Sequence, residues 1–204
     1  MKKFYLIVSL VLSDLILNAQ TNTFEWAKSI GGYYGLATGI DVTVDNSNNV
    51  YTTGTFEGKV DFDPGAGVFN LTTSGYANRD IFITKSDNSG NFTWTKQITG
   101  TYSFKDVNSI ALDASGNIYV SGYFSDTVDF DPGPGVYNLV SASFYNSFIL
   151  KLNSSGNFVW ANSWEVYQER FGLLLCLWIC QEMFIQQGIF GIPLILTRGQ
   201  RPII

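Results

Sequence analysis

The fold follows from a stretch of twelve residues, D-A-S-G-N-I-Y-V-S-G-Y-F at 113–124. The same pattern stands 68 residues earlier, as D-N-S-N-N-V-Y-T-T-G-T-F at 45–56. In both copies a cluster of Asp, Ser, Asn and Gly precedes β-branched and aromatic residues that alternate with a period of two. This pattern predicts a tight turn that opens into a β-strand. Two copies at one spacing indicate a tandem repeat whose units pack against each other.

A second motif keeps nearly the same spacing. The signature N-F-x-W occurs at 91–94 and 157–160, and a partial copy, F-E-W-A-K, lies at 24–28. The tryptophans of these copies fall 68 and 66 residues apart. Because they recur once per unit, we predict that they are core residues. They are Trp26, Trp94 and Trp160.

Each repeat unit contains four runs with the strand pattern. The predicted strands are about 38–45, 49–58, 80–86 and 91–98 in the first unit, and about 107–113, 117–125, 146–152 and 157–163 in the second. No helix-length amphipathic segment occurs between residues 21 and 163. Four antiparallel strands in a tandem unit are typical of a β-propeller blade. The long second-to-third connections have room for an extra hairpin, formed with Val68–Thr72 and Val136–Val140.

The signature D-x-S-G-N-x-Y-x-x-G-x-F with the following F-x-W resembles the SBBP-type β-propeller repeat family over about residues 24–163. The resemblance implies a propeller in an exported protein and implies no one activity. A closed propeller ring typically needs about four to eight blades. We therefore predict an all-β fold, an incomplete β-propeller of four-stranded antiparallel blades that is a fragment of a larger ring. Terminal blades expose apolar surface and an unpaired strand edge, so we expect marginal stability or aggregation.

The N-terminal residues predict export. Met1–Gln20 carries two lysines, then an apolar core at Phe4–Leu12, then Ala19 as a small residue near a cleavage site. We expect a protein that is secreted or located at the cell surface; the alternative is an N-terminal membrane anchor. The predicted segments are a signal peptide at 1–20, β-propeller repeats at 21–163 with blades at about 38–98 and 107–163, and a tail at 164–204.

The tail differs from the rest of the chain. Residues 164–204 contain no Asp, Asn or Lys, and they hold both cysteines. Trp and Met each have a single codon, so some residues of the shifted reading frame are fixed. Shifted by one base, Trp178–Ile179 must encode Asp and Met183–Phe184 must encode Val. The first unit has Asp45 and Val50 at the matching positions. We interpret the tail as a third repeat translated in the wrong frame, with no reliable fold. The alternative is a true apolar C-terminal helix, whose apolar run at 171–180 is short for a membrane span.

Composition excludes several functional classes. Residues 21–163 contain no cysteine and therefore no disulfide framework. They carry 7 Lys and Arg against 13 Asp and Glu, a formal charge of −6, which argues against nucleic-acid binding. The whole chain lacks histidine, the commonest general base and transition-metal ligand. We find no catalytic constellation and expect a protein that is not an enzyme.

A repeated D-F-D-P-G motif supplies the candidate metal site. It places Asp61 and Asp63 in the first unit and Asp129 and Asp131 in the second. Two carboxylates one residue apart could supply oxygen ligands for calcium, since residues i and i+2 of an extended segment point the same way. The alternative is an ordinary turn, because Asp-Pro-Gly is a turn sequence. We expect no other cofactor.

Aromatic residues form 16% of the chain and supply a candidate binding surface. Several tyrosines near predicted strand ends could stack on sugar rings or contact a protein partner. The alternative is packing between blades and in loops. These tyrosines are Tyr33, Tyr34, Tyr102, Tyr123, Tyr137 and Tyr145.

These observations lead to one expected function and two alternatives. We expect a secreted or cell-surface, non-enzymatic β-propeller repeat protein, a binding or structural module that is truncated. Its partner would be an unknown protein or glycan, with no nucleic acid and no membrane span beyond the signal peptide. The first alternative is a fragment of an extracellular polysaccharide-acting propeller enzyme, which should break the repeat symmetry with an odd polar cluster in one blade. The second is a non-functional product of a frame-disrupted gene.

Overall fold

The computed structural model describes residues 24–73, 79–100, 102–142 and 144–165. Eleven β-strands and no helix lie in these ranges, which confirms the all-β prediction. The strands form two blades, each with a path of four antiparallel strands, and one small two-stranded ribbon, so the fold is an incomplete β-propeller. The predicted signal peptide and all of the tail after Glu165 lie outside the described residues.

The first blade is built from strands that pair in the order β1-β2-β4-β5. Their bounds are Gly31–Val44 for β1, Val50–Asp61 for β2, Arg79–Ser86 for β4 and Phe92–Ile98 for β5. A short strand β3, Asn70–Thr72, pairs with the end of β2 and forms the predicted extra hairpin. Strand β1 begins at Gly31 rather than near residue 38, because β2 runs on to Asp61 and offers β1 a partner along its whole length.

The second blade repeats this arrangement in the order β6-β7-β10-β11. Its strands are Lys105–Leu112 for β6, Ile118–Phe124 for β7, Asn146–Leu152 for β10 and Phe158–Glu165 for β11. Between β7 and β10, the strands β8 (Thr127–Asp129) and β9 (Asn138–Val140) form the two-stranded ribbon, which is the second predicted extra hairpin. The last strand includes Trp164 and Glu165, two residues beyond the end of the repeat pattern.

The turn residues of the signature form a hydrogen-bond network. Asp113 Oδ1 accepts hydrogen bonds from the backbone N–H groups of Ser115 and Asn117, both at 2.9 Å. Its Oδ2 accepts from Asn117 Nδ2 at 2.8 Å and from the Tyr119 hydroxyl at 3.2 Å. Gly116 takes the left-handed conformation with φ of 76°, which favours glycine. The sequence D-x-S-G-N-x-Y is therefore a structural turn, because each polar residue in it satisfies another.

The same network occurs at Asp45 in the first blade, with Ser47, Asn49 and Tyr51 as donors. Burial alone would raise the pKa of Asp45 and of Asp113. The hydrogen bonds from the Asn side chain and from backbone N–H groups outweigh burial and hold both pKa values below the usual value. Both carboxylates are thus ionised at neutral pH and act as fixed acceptors.

The two blades share one hydrophobic core. Strand β6 of the second blade lies against β1, β2 and β4 of the first. No strand pairs across the junction from β6, so side-chain packing replaces strand hydrogen bonds there. The core contains Tyr51, Ile81, Ile83 and Ile98 from the first blade and Val107, Ile110, Ile118, Val120, Phe124, Phe148 and Leu150 from the second.

Two of the three predicted core tryptophans, Trp26 and Trp94, lie between one unit and the next, and both are partly buried. Trp94 of β5 packs on the shared core, and a Cβ added at Gly156 of the second blade would lie 3.2 Å from its ring. Trp26, which precedes the first blade, makes the same contact with that blade: a Cβ added at Gly90 would lie 2.8 Å from its ring. The Trp26 indole also donates a hydrogen bond of 3.0 Å to the Asn88 carbonyl. The tryptophan of one unit thus packs against the turn between the third and fourth strands of the next.

Polar contacts also cross the junction. Asp41 on β1 accepts hydrogen bonds from Ser109 Oγ at 2.8 Å and from the Ile110 N–H at 2.9 Å. These donors follow the β-bulge of β6, where a backbone group lacks its regular strand partner. The Lys105 ammonium lies 2.9 Å from Asp80 Oδ1, and both side chains are 0% exposed. The first blade is therefore joined to the second by a buried ion pair in addition to the core.

The opposite face of the first blade remains open in the described part of the chain. Val42 and Val44 of β1 are more than half exposed. The residue that matches Val42 in the second blade is Ile110, which is buried at the junction. The two blades therefore present unequal surfaces although their strands have the same arrangement.

Candidate binding site

The D-F-D-P-G loops are turns held by their own carboxylates. Asp61 Oδ1 accepts backbone hydrogen bonds from Asp63 at 3.1 Å and Phe69 at 2.8 Å. Asp63 Oδ1 accepts from the Gly65 N–H at 2.8 Å. Phe62 between them is fully buried and packs edge-on against Phe56 at 5.2 Å. The loop is thus anchored by an aromatic side chain and closed by hydrogen bonds within it.

The second loop has the same geometry. Asp129 Oδ1 accepts from the N–H groups of Asp131 at 3.0 Å and Tyr137 at 2.8 Å, and Asp131 Oδ1 accepts from Gly133 at 2.8 Å. The Asp129 N–H donates a hydrogen bond of 2.9 Å to the Thr99 carbonyl of the first blade, so this loop also connects the blades.

One oxygen of each predicted calcium ligand is therefore used on backbone N–H groups. No group of three or more Asp, Glu, His or Cys side chains that could hold a metal ion occurs among the described residues. Asp129 and Asp131 also line an open groove of about 420 Å³ beside β5. The calcium hypothesis for these loops stays a prediction, and the turn alternative accounts for the observed contacts.

Tyr137 is a packing residue. Its ring lies 4.7 Å from that of Phe158, at an angle of 38°. The first blade has the same pair as Phe69 and Phe92, at 4.9 Å and 36°. A contact that recurs in both blades serves the blade itself rather than a ligand. The side chains of Tyr33 and Tyr34 lie outside the described residues.

Tyr123 and Tyr145 meet on the surface of the second blade. The Phe104 and Tyr123 rings are stacked, with centroids 5.8 Å apart and an interplanar angle of 24°. Tyr145 stands edge-on to both rings, at 5.6 Å from Phe104 and 5.7 Å from Tyr123. These residues come from β7 and from the positions just before β6 and β10, so three strands in register bring them together. Phe104 remains 41% exposed.

A carboxylate borders these rings. Asp106 lies opposite Tyr123 across the β6–β7 pair. Its Oδ1 accepts the Val107 N–H at 2.9 Å, and its Oδ2 accepts the Tyr123 hydroxyl at 3.4 Å. Burial, followed by the charge of Asp106, raises the pKa of Tyr123, so this phenol stays protonated and remains a donor at neutral pH. We refer to Phe104, Tyr123, Tyr145 and Asp106 as the aromatic cluster.

The aromatic cluster breaks the repeat symmetry. At the four matching positions the first blade has neither an aromatic ring nor a carboxylate. Strand pairing fixes this correspondence, because Asp106 pairs with Tyr123 as Thr38 pairs with Thr55. The matching residues of the first blade are Leu36, Thr38, Thr55 and Arg79. The blade fold therefore does not require the aromatic cluster.

Two more exposed aromatic side chains lie next to the cluster in sequence. Tyr102 is 87% exposed and Phe144 is 91% exposed. Sequence reasoning identified Tyr102, Tyr123 and Tyr145 but missed both phenylalanines, because it considered tyrosines alone as surface aromatics. A comparison of the two units position by position would have found Phe104.

No helix in the described part of the chain is long and apolar enough to cross a membrane, in keeping with its all-strand content. The predicted signal peptide falls outside that part.

Comparison with known proteins agrees with the fold. A family model described as SBBP, a β-propeller repeat, matches residues 93–123, from β5 of the first blade to β7 of the second. An uncharacterised WD repeat-containing protein of Acanthamoeba polyphaga mimivirus, L264, is 32% identical over 158 residues. The match covers 66% of this chain and 11% of that protein, so the chain spans about a tenth of its relative's length. The match at residues 93–123 to the SBBP repeat model confirms the resemblance inferred from the repeat signature.

Proposed function

We propose that this chain is a non-enzymatic binding module of a secreted or cell-surface β-propeller protein, and that the aromatic cluster contacts its ligand. One observation carries the proposal: the second blade has three rings and a carboxylate where the first has Leu36, Thr38, Thr55 and Arg79. Residues needed only to build a blade recur in both units, as the Tyr137–Phe158 contact does. A partly exposed set of rings present in one unit alone has no such structural reason.

The physical character of the cluster supports binding. Exposed apolar patches bordered by polar groups mark interaction sites on soluble proteins. Phe104 offers an exposed ring, and Tyr123 and Tyr145 combine an apolar ring with a polar hydroxyl. Its rings hold one another through stacked and edge-on contacts, so little side-chain freedom would be lost on binding.

The alternative of a propeller enzyme also expects one blade to break the repeat symmetry, but with a polar cluster, whereas this cluster consists of three aromatic rings and one carboxylate. Glycoside hydrolysis generally uses two carboxylates on opposite sides of the scissile bond. The carboxylate within the cluster is that of Asp106, which accepts a hydrogen bond from the Tyr123 hydroxyl. The sequence of Met1–Gln20 supports export of the module.

A binding assay with cell envelopes tests the proposal. The full chain is labelled and mixed with envelopes of the organism that encodes it. The test variant is Phe104→Leu/Tyr123→Thr/Tyr145→Arg, which has the residues of the first blade. The matched control is Tyr137→Phe, since Phe69 stands at that position in the first blade.

We expect the wild type and the control to bind and the triple variant to lose at least tenfold in affinity. Equal binding by all three proteins, or no binding by the wild type, would contradict the proposal. Mass spectrometry of the exported protein tests the location: its N-terminus should lie near Gln20, and retention of Met1 in a cell-bound protein would refute export.

A further inference from the structure

We infer that the aromatic cluster binds the pyranose rings of an uncharged polysaccharide; this rests on the proposed function and names its ligand class. A pyranose presents apolar C–H groups on its faces and hydroxyl groups around its edge. A site for it therefore needs an apolar surface with hydrogen-bonding groups beside it. The aromatic cluster has both kinds of group within one set of contacts.

The rings supply the apolar surface. Phe104 and Tyr123 are stacked at 5.8 Å and 24°, and Tyr145 stands nearly perpendicular to Tyr123, at 89°. Two near-parallel rings and one perpendicular ring form a corner. Phe104 is 41% exposed and provides the open part of this corner. The C–H face of a pyranose chair would pack on Phe104 with the hydroxyl edge of the sugar directed at the neighbouring polar atoms.

Asp106 supplies the hydrogen-bond acceptor. The hydrogen bond from the Tyr123 hydroxyl to Asp106 Oδ2 is 3.4 Å long, well beyond the usual range for O–H···O contacts. A carboxylate oxygen has two lone pairs, so Oδ2 has capacity for a shorter bond from a sugar hydroxyl. A carboxylate can only accept hydrogen bonds, and a sugar offers many hydroxyl donors. Asp106 therefore favours a ligand that is rich in hydroxyl groups.

The same carboxylate disfavours a protein partner. Centres of protein–protein interfaces are depleted in charged residues, because a carboxylate buried without donors is costly. An apolar protein surface placed on Phe104 would cover Asp106 as well, since both border Tyr123. Sugar hydroxyls would compensate the carboxylate, whereas an apolar surface would not.

Charge restricts the polysaccharide to a neutral one. The chain has a formal net charge of −5, and Asp106 places a negative charge within the cluster. The charge of Arg79 acts on Tyr123, but this cation is paired with Glu57 at 3.0 Å. Uronic acids or sulfated sugars would therefore be repelled.

Affinity electrophoresis of the full chain tests this inference. Native gels contain a soluble neutral polysaccharide (mixed-linkage β-glucan, arabinoxylan or galactomannan) or the acidic polysaccharide alginate. Each protein is compared with its own mobility in a gel without polysaccharide, which cancels the charge added by Tyr145→Arg. The variants are the triple variant, Phe104→Ala as a smaller change, and Tyr137→Phe as the control.

We expect at least one neutral gel to retard the wild type and the control, with retardation reduced tenfold or more in both cluster variants. The inference is overturned if no neutral gel retards the wild type, if alginate alone retards it, or if the cluster variants are retarded equally. If envelope binding depends on the cluster while all neutral gels are negative, the proposed function stands and the sugar ligand is wrong. If both assays are negative, both proposals fail.

Discussion

Substitution of Lys105 by methionine should destabilise the junction between the blades more than any surface change of similar size. The Lys105 ammonium lies 2.9 Å from Asp80 Oδ1 with both side chains 0% exposed. The ammonium also donates to the Gly100 carbonyl and to Ser103 Oγ, each at 3.1 Å. Asp80 Oδ2 accepts from Gln97 Nε2 at 2.7 Å. Methionine keeps an unbranched side chain that is one atom shorter, and it removes the charge.

The expected magnitude follows from this geometry. Two unit charges 2.9 Å apart attract by about 6 kcal/mol at an effective dielectric constant of ~20. Desolvation of both groups offsets most of this attraction, so the pair as a whole adds little stability. Removal of Lys105 alone is different, because Asp80 Oδ1 has no hydrogen-bond donor within the described residues and its carboxylate would remain buried without its cation. The cost should be about 3–5 kcal/mol.

Urea unfolding of the full chain, followed by tryptophan fluorescence, measures this cost. Trimethylamine oxide at one fixed concentration in all samples raises the stability enough to give a folded baseline. The rescue variant is Lys105→Ala/Asp80→Asn, because Ala37 and Asn146 occupy the matching positions of the other blades. It removes both charges with residues that the fold already accepts, so it should recover most of the lost free energy of unfolding.

The control is Glu57→Gln, which breaks the Glu57–Arg79 pair. That pair also lies at 3.0 Å, but its side chains are 39% and 42% exposed. Exposed ion pairs contribute about 0–1 kcal/mol, so the control should lose no more than that. The reasoning is refuted if Lys105→Met costs no more than Glu57→Gln, or if the double variant is as unstable as the single one.

Four further predictions concern the turns, the loops and the coding frame. The pKa values of Asp45 and Asp113 are lowered in the folded state, so these carboxylates stabilise the fold above the unfolded pKa of ~3.9 and lose this effect as the pH falls through the folded pKa values. Acid titration should therefore show unfolding that begins below about pH 4. The loss of stability with falling pH should be less steep in Asp113→Asn. Gly156→Ala should lower the urea midpoint more than Gly116→Ala. Both glycines have φ near 75°, which costs about 1–2 kcal/mol for alanine, but the new methyl group at Gly156 would also lie 2.9 Å from a first-blade side chain. Equal shifts of the midpoint would contradict the junction contact. Added calcium should leave the melting temperature unchanged, because the D-F-D-P-G loops are closed by their own hydrogen bonds; a calcium-dependent rise lost on Asp→Asn substitution in these loops would support the calcium hypothesis instead. Resequencing of the DNA from the Ser163 codon should reveal one missing base and repeat codons in the second frame, whereas a confirmed frame would make the tail a genuine part of the protein.

Local contacts explain why the strands and turns could be predicted. The acceptor Asp113 and its backbone donors lie within four residues of each other, so the motif contains the whole interaction. The left-handed position after it is Gly in three turns and Asn48 in the fourth, as the turn chemistry requires. Alternation of apolar residues then defines the strands, because each strand of a blade is packed on its faces by others.

The candidate site could be predicted only in part. Tyr123 and Tyr145 were recognised as surface aromatics, but nothing in their spacing shows that they touch. Phe104 joins them because β6, β7 and β10 lie in a particular register, with Asp106 opposite Tyr123 and Ser147 opposite Tyr123 on the other side. A shift of one residue in either pairing would turn these side chains to opposite faces.

The sequence alone therefore determined what depends on neighbours along the chain: the repeat, the four strands per unit, the carboxylate-capped turns and the all-β class. The tertiary structure decided what depends on how strands and blades are placed. It put Trp94 against the turn of the next blade, paired Lys105 with Asp80, and assembled the aromatic cluster from three strands. The physical reason is range: a turn is closed by hydrogen bonds over a few residues, whereas these contacts join segments separated by about twenty to sixty residues and exist only once strand register and blade packing are set.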